Sequence, residues 1–169
     1  MTAIASTSPL SLASVTLRAA RPEDLPAIEE LLTTSGLPTT GVAESLATFM
    51  VAETGAEHGD ALVGVAGLEL CCENALLRSV AVAPEWRSRG LGRLLIPRVI
   101  AEAEARGIRA LYLLTTTAER YFPSFDFTRT SRDAVPADIS ATVEFRTACP
   151  ASATVMCRPC TPLTAPEDV

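Results

Sequence analysis

The chain has 169 residues, 48% of them hydrophobic and 20% charged, a length that fits one domain with a core of its own. A formal charge of −6, from 20 acids and 14 bases, speaks against a general binder of nucleic acid or anionic membrane. No run approaches the ~20 apolar residues of a membrane span. The first 14 residues lack the Lys or Arg that starts a secretory signal, so a soluble, cytoplasmic protein is expected.

Residues 1–14, rich in Ser, Ala and Thr without periodicity, read as a disordered segment. One domain is expected over 15–160, with 161–169 as a Pro-broken tail. Val15 to Ala19 reads as a strand. Arg21-Pro22-Glu23-Asp24 opens a helix, with Pro in the first turn and acids at the positive end of its dipole, and Leu25, Ile28, Leu31 and Leu32 form its apolar face. A weaker helical stretch spans Val42 to Ala47. Phe49–Ala52 and Ala61–Leu70 form a hairpin turned by Gly55 and Gly59-Asp60. Ala75–Val82 is a strand, Pro84–Gly92 a glycine- and arginine-rich turn, and Leu91–Arg106 a helix ending at Gly107, with Pro97 inside it. Ala110–Leu114 is the next strand, Thr117–Phe122 a short helix and Thr142–Arg146 a late strand. This order predicts an α/β (α+β) fold with a mixed, mostly antiparallel central sheet of about 6–7 strands, one parallel βαβ step and helices on both faces.

The segment from Ser79-Val80-Ala81-Val82 to Arg93 carries the most specific chemistry. A buried strand runs into a loop, and then glycines open a helix. Gly90 and Gly92 lack a Cβ, so a bulky anion can approach the backbone, where the unpaired N–H groups of the first helical turn point at it. Arg87, Arg89 and Arg93 add positive charge to the same mouth. The reading is a pyrophosphate cradle, against the simpler one of a tight turn with solvated arginines. It is neither a Walker A nor a dinucleotide fingerprint, because Gly-Lys-Ser/Thr, the third glycine and the ribose-binding acid are all missing.

Arg87-x-x-Gly90-x-Gly92 behind that strand resembles the acyl-coenzyme A motif of the GCN5-related N-acetyltransferase superfamily. The resemblance implies that fold, with Val80, Ala81 and Val82 on the pantetheine arm and Arg87, Ser88, Arg89, Gly90, Leu91, Gly92 and Arg93 on the pyrophosphate of acetyl-CoA as cosubstrate. Ser88 stands where that family often has glycine. Thr115-Thr116-Thr117-Ala118-Glu119 and Glu144-Phe145-x-x-x-Cys149-Pro150-x-Ser152-Ala153 are similar to the arsenic-resistance N-acetyltransferase (ArsN-type) family. That similarity implies an amine acceptor, with relatives that act on phosphinic or arsinic amino acids. The expected activity moves an acetyl group from acetyl-CoA to the amino group of a small amino-acid-like acceptor. No metal, nucleic acid or membrane is expected as a partner, and a homodimer stays open.

Such a transfer needs an oxyanion donor, a proton for the leaving thiolate and a deprotonated amine. The N–H near Val80 is a candidate donor. The superfamily's usual tyrosine position falls on Phe122, and Tyr121 lies one residue earlier, which on a helix is a turn of ~100°. Tyr121 is the candidate acid, against a packing role. Asp126 replaces the glycine usual before Phe127. Glu69 and Glu73 are candidate bases, against solvated strand-end acids. Arg78, inside an apolar strand, is read as a ligand for the acceptor's anionic group or as a structural ion pair.

Two alternatives remain: an acyl-CoA-binding module without catalysis, suggested by Phe122 and Asp126, and a thiol-based metalloid-binding module using Cys149, Cys157 and Cys160. The cysteines are otherwise read as free thiols, and His58, in a Gly-rich turn, as a solvated loop residue.

Overall fold

A computed structural model describes residues 9–148 and 150–161. Seven strands form one open mixed sheet, β1 (Val15–Ala19), β2 (Met50–Thr54), β3 (Leu62–Cys71), β4 (Asn74–Val82), β5 (Ala110–Thr115), β6 (Thr128–Thr130) and β7 (Thr154–Pro159), in the order β1-β2-β3-β4-β5-β7-β6. Every pairing is antiparallel except β4 with β5. That parallel step is bridged by the long helix between them, as parallel neighbours require. The helices are α1 (Leu25–Thr34), α2 (Val42–Ser45), α3 (Leu91–Ala105) and α4 (Ala137–Ser140). Among the described residues, no helix is long and apolar enough to cross a membrane.

The core is aliphatic where α3 meets the sheet. Leu91, Leu95, Ile96 and Val99 recur at helical spacing on α3 and are buried with Val65, Leu68 and Leu111 of the strands. Each such side chain contributes about 1.5–3 kcal/mol by leaving water. Pro97 falls on the exposed side of α3, which runs through it. Gly67 is required by packing: a Cβ there would overlap the ring of Phe49, which is 1% exposed.

At the start of the fold, Arg18 on β1 clamps two elements. Its guanidinium donates to both Asp24 oxygens at 2.7 and 2.9 Å and to Glu53 of β2 at 2.9 Å. Asp24 also accepts the Arg21 backbone N–H at 2.7 Å, closing the turn into α1. Hydrogen bonding to Arg18 holds both carboxyls below their ordinary values.

Four local expectations are corrected. Residues 9–14 are ordered: Leu12–Ser14 form a 3-10 turn capped by Ser11, and Leu10 and Leu12 pack on the core. The helix expected over Thr117–Phe122 is a turn, with the Thr115 hydroxyl accepting the Ala118 N–H at 2.9 Å, and a 3-10 turn follows at Phe122–Phe125. The late strand expected over Thr142–Arg146 winds instead as a π-type turn over Glu144–Ala148, with Thr142 and Glu144 buried and Val143 49% exposed. The last strands are β6 and β7. His58 is half-buried and stands edge-on to Trp86 at 6.1 Å between centroids.

Candidate active site

The site is organised by two irregularities of β4. On one side β3 pairs Gly67 with Arg78 and Val65 with Ala81, so Ser79 and Val80 together oppose Ala66. Ser79 takes a left-handed φ of 58°, unusual for a non-glycine residue. This is a β-bulge, which takes a residue out of the ladder and re-aims the strand. On the other side β4 and β5 pair only over Asn74–Leu76 with Ala110–Tyr112. Past that point they part, and a cleft of about 240 Å³ opens between Leu77–Val80 and Leu113–Thr115.

A second cleft, about 350 Å³, lies between the end of β4 and the start of α3. It gathers Val80, Ala81, Val82, Arg87, Ser88, Gly90, Leu91, Gly92 and Arg93 from the sequence-predicted set. Gly90 caps α3 with φ 88° and no side-chain bond, leaving the first-turn N–H groups facing outward for an anion. Ser88 is left-handed too, with φ 60°, and so is Asp126, with φ 66°. Both sit where the resemblance places glycine, and this backbone conformation is the physical reason for that preference. Arg87 donates its Nε to the Val82 carbonyl at 3.0 Å, at the lip of the cleft. Arg89 departs from expectation: it donates to the carbonyls of Glu85 at 3.0 Å and Leu10 at 3.3 Å and does not line the cleft. Trp86, 2% exposed, forms part of the wall and was not singled out, since a lone tryptophan in a loop carries no spacing signal.

Val80 and Tyr121 line both clefts. Tyr121 stacks edge-on against Phe122 and Phe125, with its hydroxyl against the α-carbon of Gly92 and Arg93 over its ring at 5.8 Å. Because 117–121 is a turn, the helical rotation that set Tyr121 away from the site does not apply; Phe122 is the one turned into the core, 7% exposed. Burial pushes the Tyr121 hydroxyl above the ordinary phenol value, opposed by Arg93. It therefore keeps its proton at neutral pH.

The predicted acids are placed elsewhere. Glu73 sits in the β3–β4 turn, its side chain 66% exposed and paired with Arg109 at 3.5 Å. It lies at the opposite end of β4 from Val80, roughly 20 Å of extended strand away, too far to serve as base. Glu69 lines neither cleft and pairs with Arg78 at 3.1 Å. Arg78 is 3% exposed; it donates to Glu69 at 3.1 Å, to the Ser79 hydroxyl at 3.2 Å and to the Thr40 carbonyl at 2.6 Å, and its Nε stands 3.1 Å from the Glu144 carboxylate as an ion pair. Of its two readings, the ion pair is the one present. Glu144, 7% exposed on the wall of the β4–β5 cleft, was missed. It follows β5 by a long stretch of chain, and nothing in its spacing to Arg78 marks the pair.

Cys157 lies on β7 and Cys160 just past its end, where burial pushes the Cys160 thiol up. Cys149 lies outside the described residues. Among the described residues no group of three or more His, Cys, Asp or Glu is arranged to hold a metal.

The family model described as an acetyltransferase (GNAT) domain matches residues 45–129, half of the chain. A mycothiol acetyltransferase of Thermobifida fusca is 35% identical over 102 residues, covering 60% of this chain and 32% of that protein. An amino-acid acetyltransferase of Serratia proteamaculans is 34% identical over 67 residues, 40% of this chain and 15% of that protein. The chain thus spans a third or less of these curated relatives. N-acetylglutamate synthase from Neisseria gonorrhoeae, solved with coenzyme A and L-arginine, superposes with a TM-score of 0.71 and 23% identity over 86% of this chain and 33% of that one. A Mycobacterium tuberculosis protein solved in complex with CoA gives 0.72 and 23% over 85% of this chain and 98% of that one. At these identities the structural likeness is one of fold.

Proposed function

The chain belongs to the acetyltransferase (GNAT) domain family, and from that premise we propose that it is an N-acetyltransferase, moving an acetyl group from acetyl-CoA to the amino group of a small amino-acid-like acceptor. The observation that carries the reading is the meeting of the two clefts at Val80 and Tyr121. A donor in one and an amine in the other would have their reacting atoms adjacent, and such proximity supplies much of the rate enhancement.

The residues fit the cosubstrate. Gly90 and Gly92 admit a pyrophosphate to the N-terminus of α3, Arg87 and Arg93 flank it, and Val80–Val82 offer an extended edge to the pantetheine amides. At the reacting carbon the bulged Val80 backbone N–H polarises the thioester carbonyl. The amine nitrogen bonds to that carbon as the carbon–sulfur bond breaks. The leaving sulfur takes the Tyr121 hydroxyl proton, the proton displaced from the amine passes to solvent, and solvent returns one to the Tyr121 phenolate, so atoms and charge balance and the tyrosine is restored. The likeness to an amino-acid acetyltransferase and a mycothiol acetyltransferase supports an amine acceptor of this class.

The tie to arsenic resistance rests on the resemblance of Thr115–Glu119 and of Glu144–Ala153, and it places phosphinic and arsinic amino acids in the acceptor panel. The four described cysteines are free thiols, which fits a reducing, cytoplasmic setting. The test is calorimetric titration with acetyl-CoA, then thiol release over a panel of amines. Gly92→Glu, which puts a charge where the pyrophosphate approaches, should abolish binding. Tight coenzyme binding with no amine acetylated would favour the non-catalytic acyl-CoA module.

A further inference from the structure

Resting on the acetyltransferase reading, we infer that residues 10–14 hold the glycine loop in the shape that receives the coenzyme pyrophosphate, with Leu12 and Arg89 as positioning residues. The loop needs holding at Ser88. Its φ of 60° is left-handed, as is the 88° of Gly90 two residues on. Glycine enters that region about as readily as any other, whereas a non-glycine residue occupies it in only a few per cent of cases. A serine there persists where its surroundings over-determine the backbone.

Those surroundings come from two sides. On the strand side, the Arg87 Nε donates to the Val82 carbonyl at 3.0 Å. On the outer side, the Arg89 Nε donates to the Glu85 carbonyl at 3.0 Å and its Nη1 to the Leu10 carbonyl at 3.3 Å. One guanidinium thus ties the turn before the loop to the N-terminal segment. Leu12 lies over Gly90, where a Cβ would stand 3.7 Å from the leucine Cδ1, and it is half-buried against the core. Leu12 and Arg89 line neither cleft, so they act through the loop and not on the coenzyme.

The segment is itself anchored. The Ser11 hydroxyl accepts the Ala13 N–H at 3.2 Å, and the Ser14 hydroxyl donates to the Ser11 carbonyl at 2.7 Å. The Ser14 carbonyl accepts the Gly55 N–H at 3.0 Å, and the next residue, Val15, is already paired with Thr54 in the sheet. The chain therefore runs from the β1–β2 edge straight to the glycine loop. Ser88 stands where the resemblance places glycine, and contacts from outside the motif compensate for it. The coenzyme meets a loop already formed, which spares it the cost of ordering one.

Calorimetric titration of acetyl-CoA into the full chain tests this. Leu12→Ala should weaken binding by ~5–30-fold, because a loosened loop keeps Ser88 left-handed in only a fraction of molecules and the apparent affinity falls by that fraction. Arg89→Lys, exposed and still charged, has no planar fork to reach both carbonyls and should weaken it as well. In a Ser88→Gly background both costs should shrink to ~1–3-fold, since glycine takes the conformation unaided. Lost packing alone would lower Tm and would not be rescued by Ser88→Gly. Wild-type affinity in Leu12→Ala overturns the inference, as does a cost that persists undiminished beside Ser88→Gly. Wild-type affinity in Arg89→Lys overturns the role of Arg89. In each of these cases the wild type still binds acetyl-CoA and the acetyltransferase reading stands. If the wild type does not bind it, that reading falls and the inference falls with it.

Discussion

Replacing Gly92 with alanine puts a methyl group where the Tyr121 hydroxyl lies against the start of α3. Ordinary contact between carbon and oxygen needs roughly 3.5 Å, so the hydroxyl must retreat by about an ångström. The ring has little room to follow, being packed edge-on against Phe122 at 5.5 Å and Phe125 at 5.3 Å. Helix propensity favours alanine over glycine by up to about 1 kcal/mol, so the variant should stay folded. The loss should appear in turnover. Misplacing a proton donor by an ångström costs up to ~100-fold, and removing one proton-transfer group costs about as much or more. Gly92→Ala is therefore expected to lower kcat by ~10–100-fold, about 1.4–2.7 kcal/mol, and Tyr121→Phe by a similar factor. The diagnostic is the double variant: phenylalanine has no hydroxyl to displace, so Gly92→Ala should cost little in that background. Thiol release at saturating acetyl-CoA measures all four forms. A Gly92→Ala cost that persists undiminished in the Tyr121→Phe background would refute the reasoning and assign the effect to the coenzyme cradle.

Gly67→Ala overpacks the Phe49 ring in a closed part of the core. It should cost roughly 1–3 kcal/mol, a fall of about 3–9 °C in Tm at this chain length, and an unchanged melt would show that Phe49 has room to move. Arg18→Met breaks the clamp on Asp24 and Glu53 and should cost roughly 1–3 kcal/mol at neutral pH, between exposed-pair and buried-pair values. Both carboxyls are depressed from ordinary values of 3.8 and 4.5, so the wild-type advantage is present above those values and is lost as pH falls through the lowered ones. Urea melts of the two proteins from pH 7 to 2 should converge in acid, and a constant gap would remove the clamp as the cause.

The cleft we propose as the coenzyme cradle was legible in the sequence as a continuous wall, because its geometry is local. A strand, a loop and a glycine-opened helix are consecutive, and Val80–Val82, Arg87, Gly90 and Gly92 need only that continuity to form one wall. The strands β1 to β5 and the helix α3 were legible for the same reason, each being set by its own apolar period and its own glycine stops. The C-terminal third was misread where local pattern and tertiary role part. The alternation around Val143 and Phe145 imitates a strand, yet the segment winds to turn Glu144 inward toward Arg78. Tyr121 was placed by helical phase, but a Thr115-capped turn stands there and carries the ring to Gly92. Glu73 and Glu69 lie near β4 in sequence, and only the strand geometry shows one at the far end and the other committed to a guanidinium. Sequence by itself determined what most short segments can form and where a strand, a loop and a glycine-opened helix follow one another. The wall of the β4–β5 cleft was decided by tertiary structure alone, because Arg78, Glu69 and Glu144 are brought together only by the parting of β4 from β5 and the return of the chain.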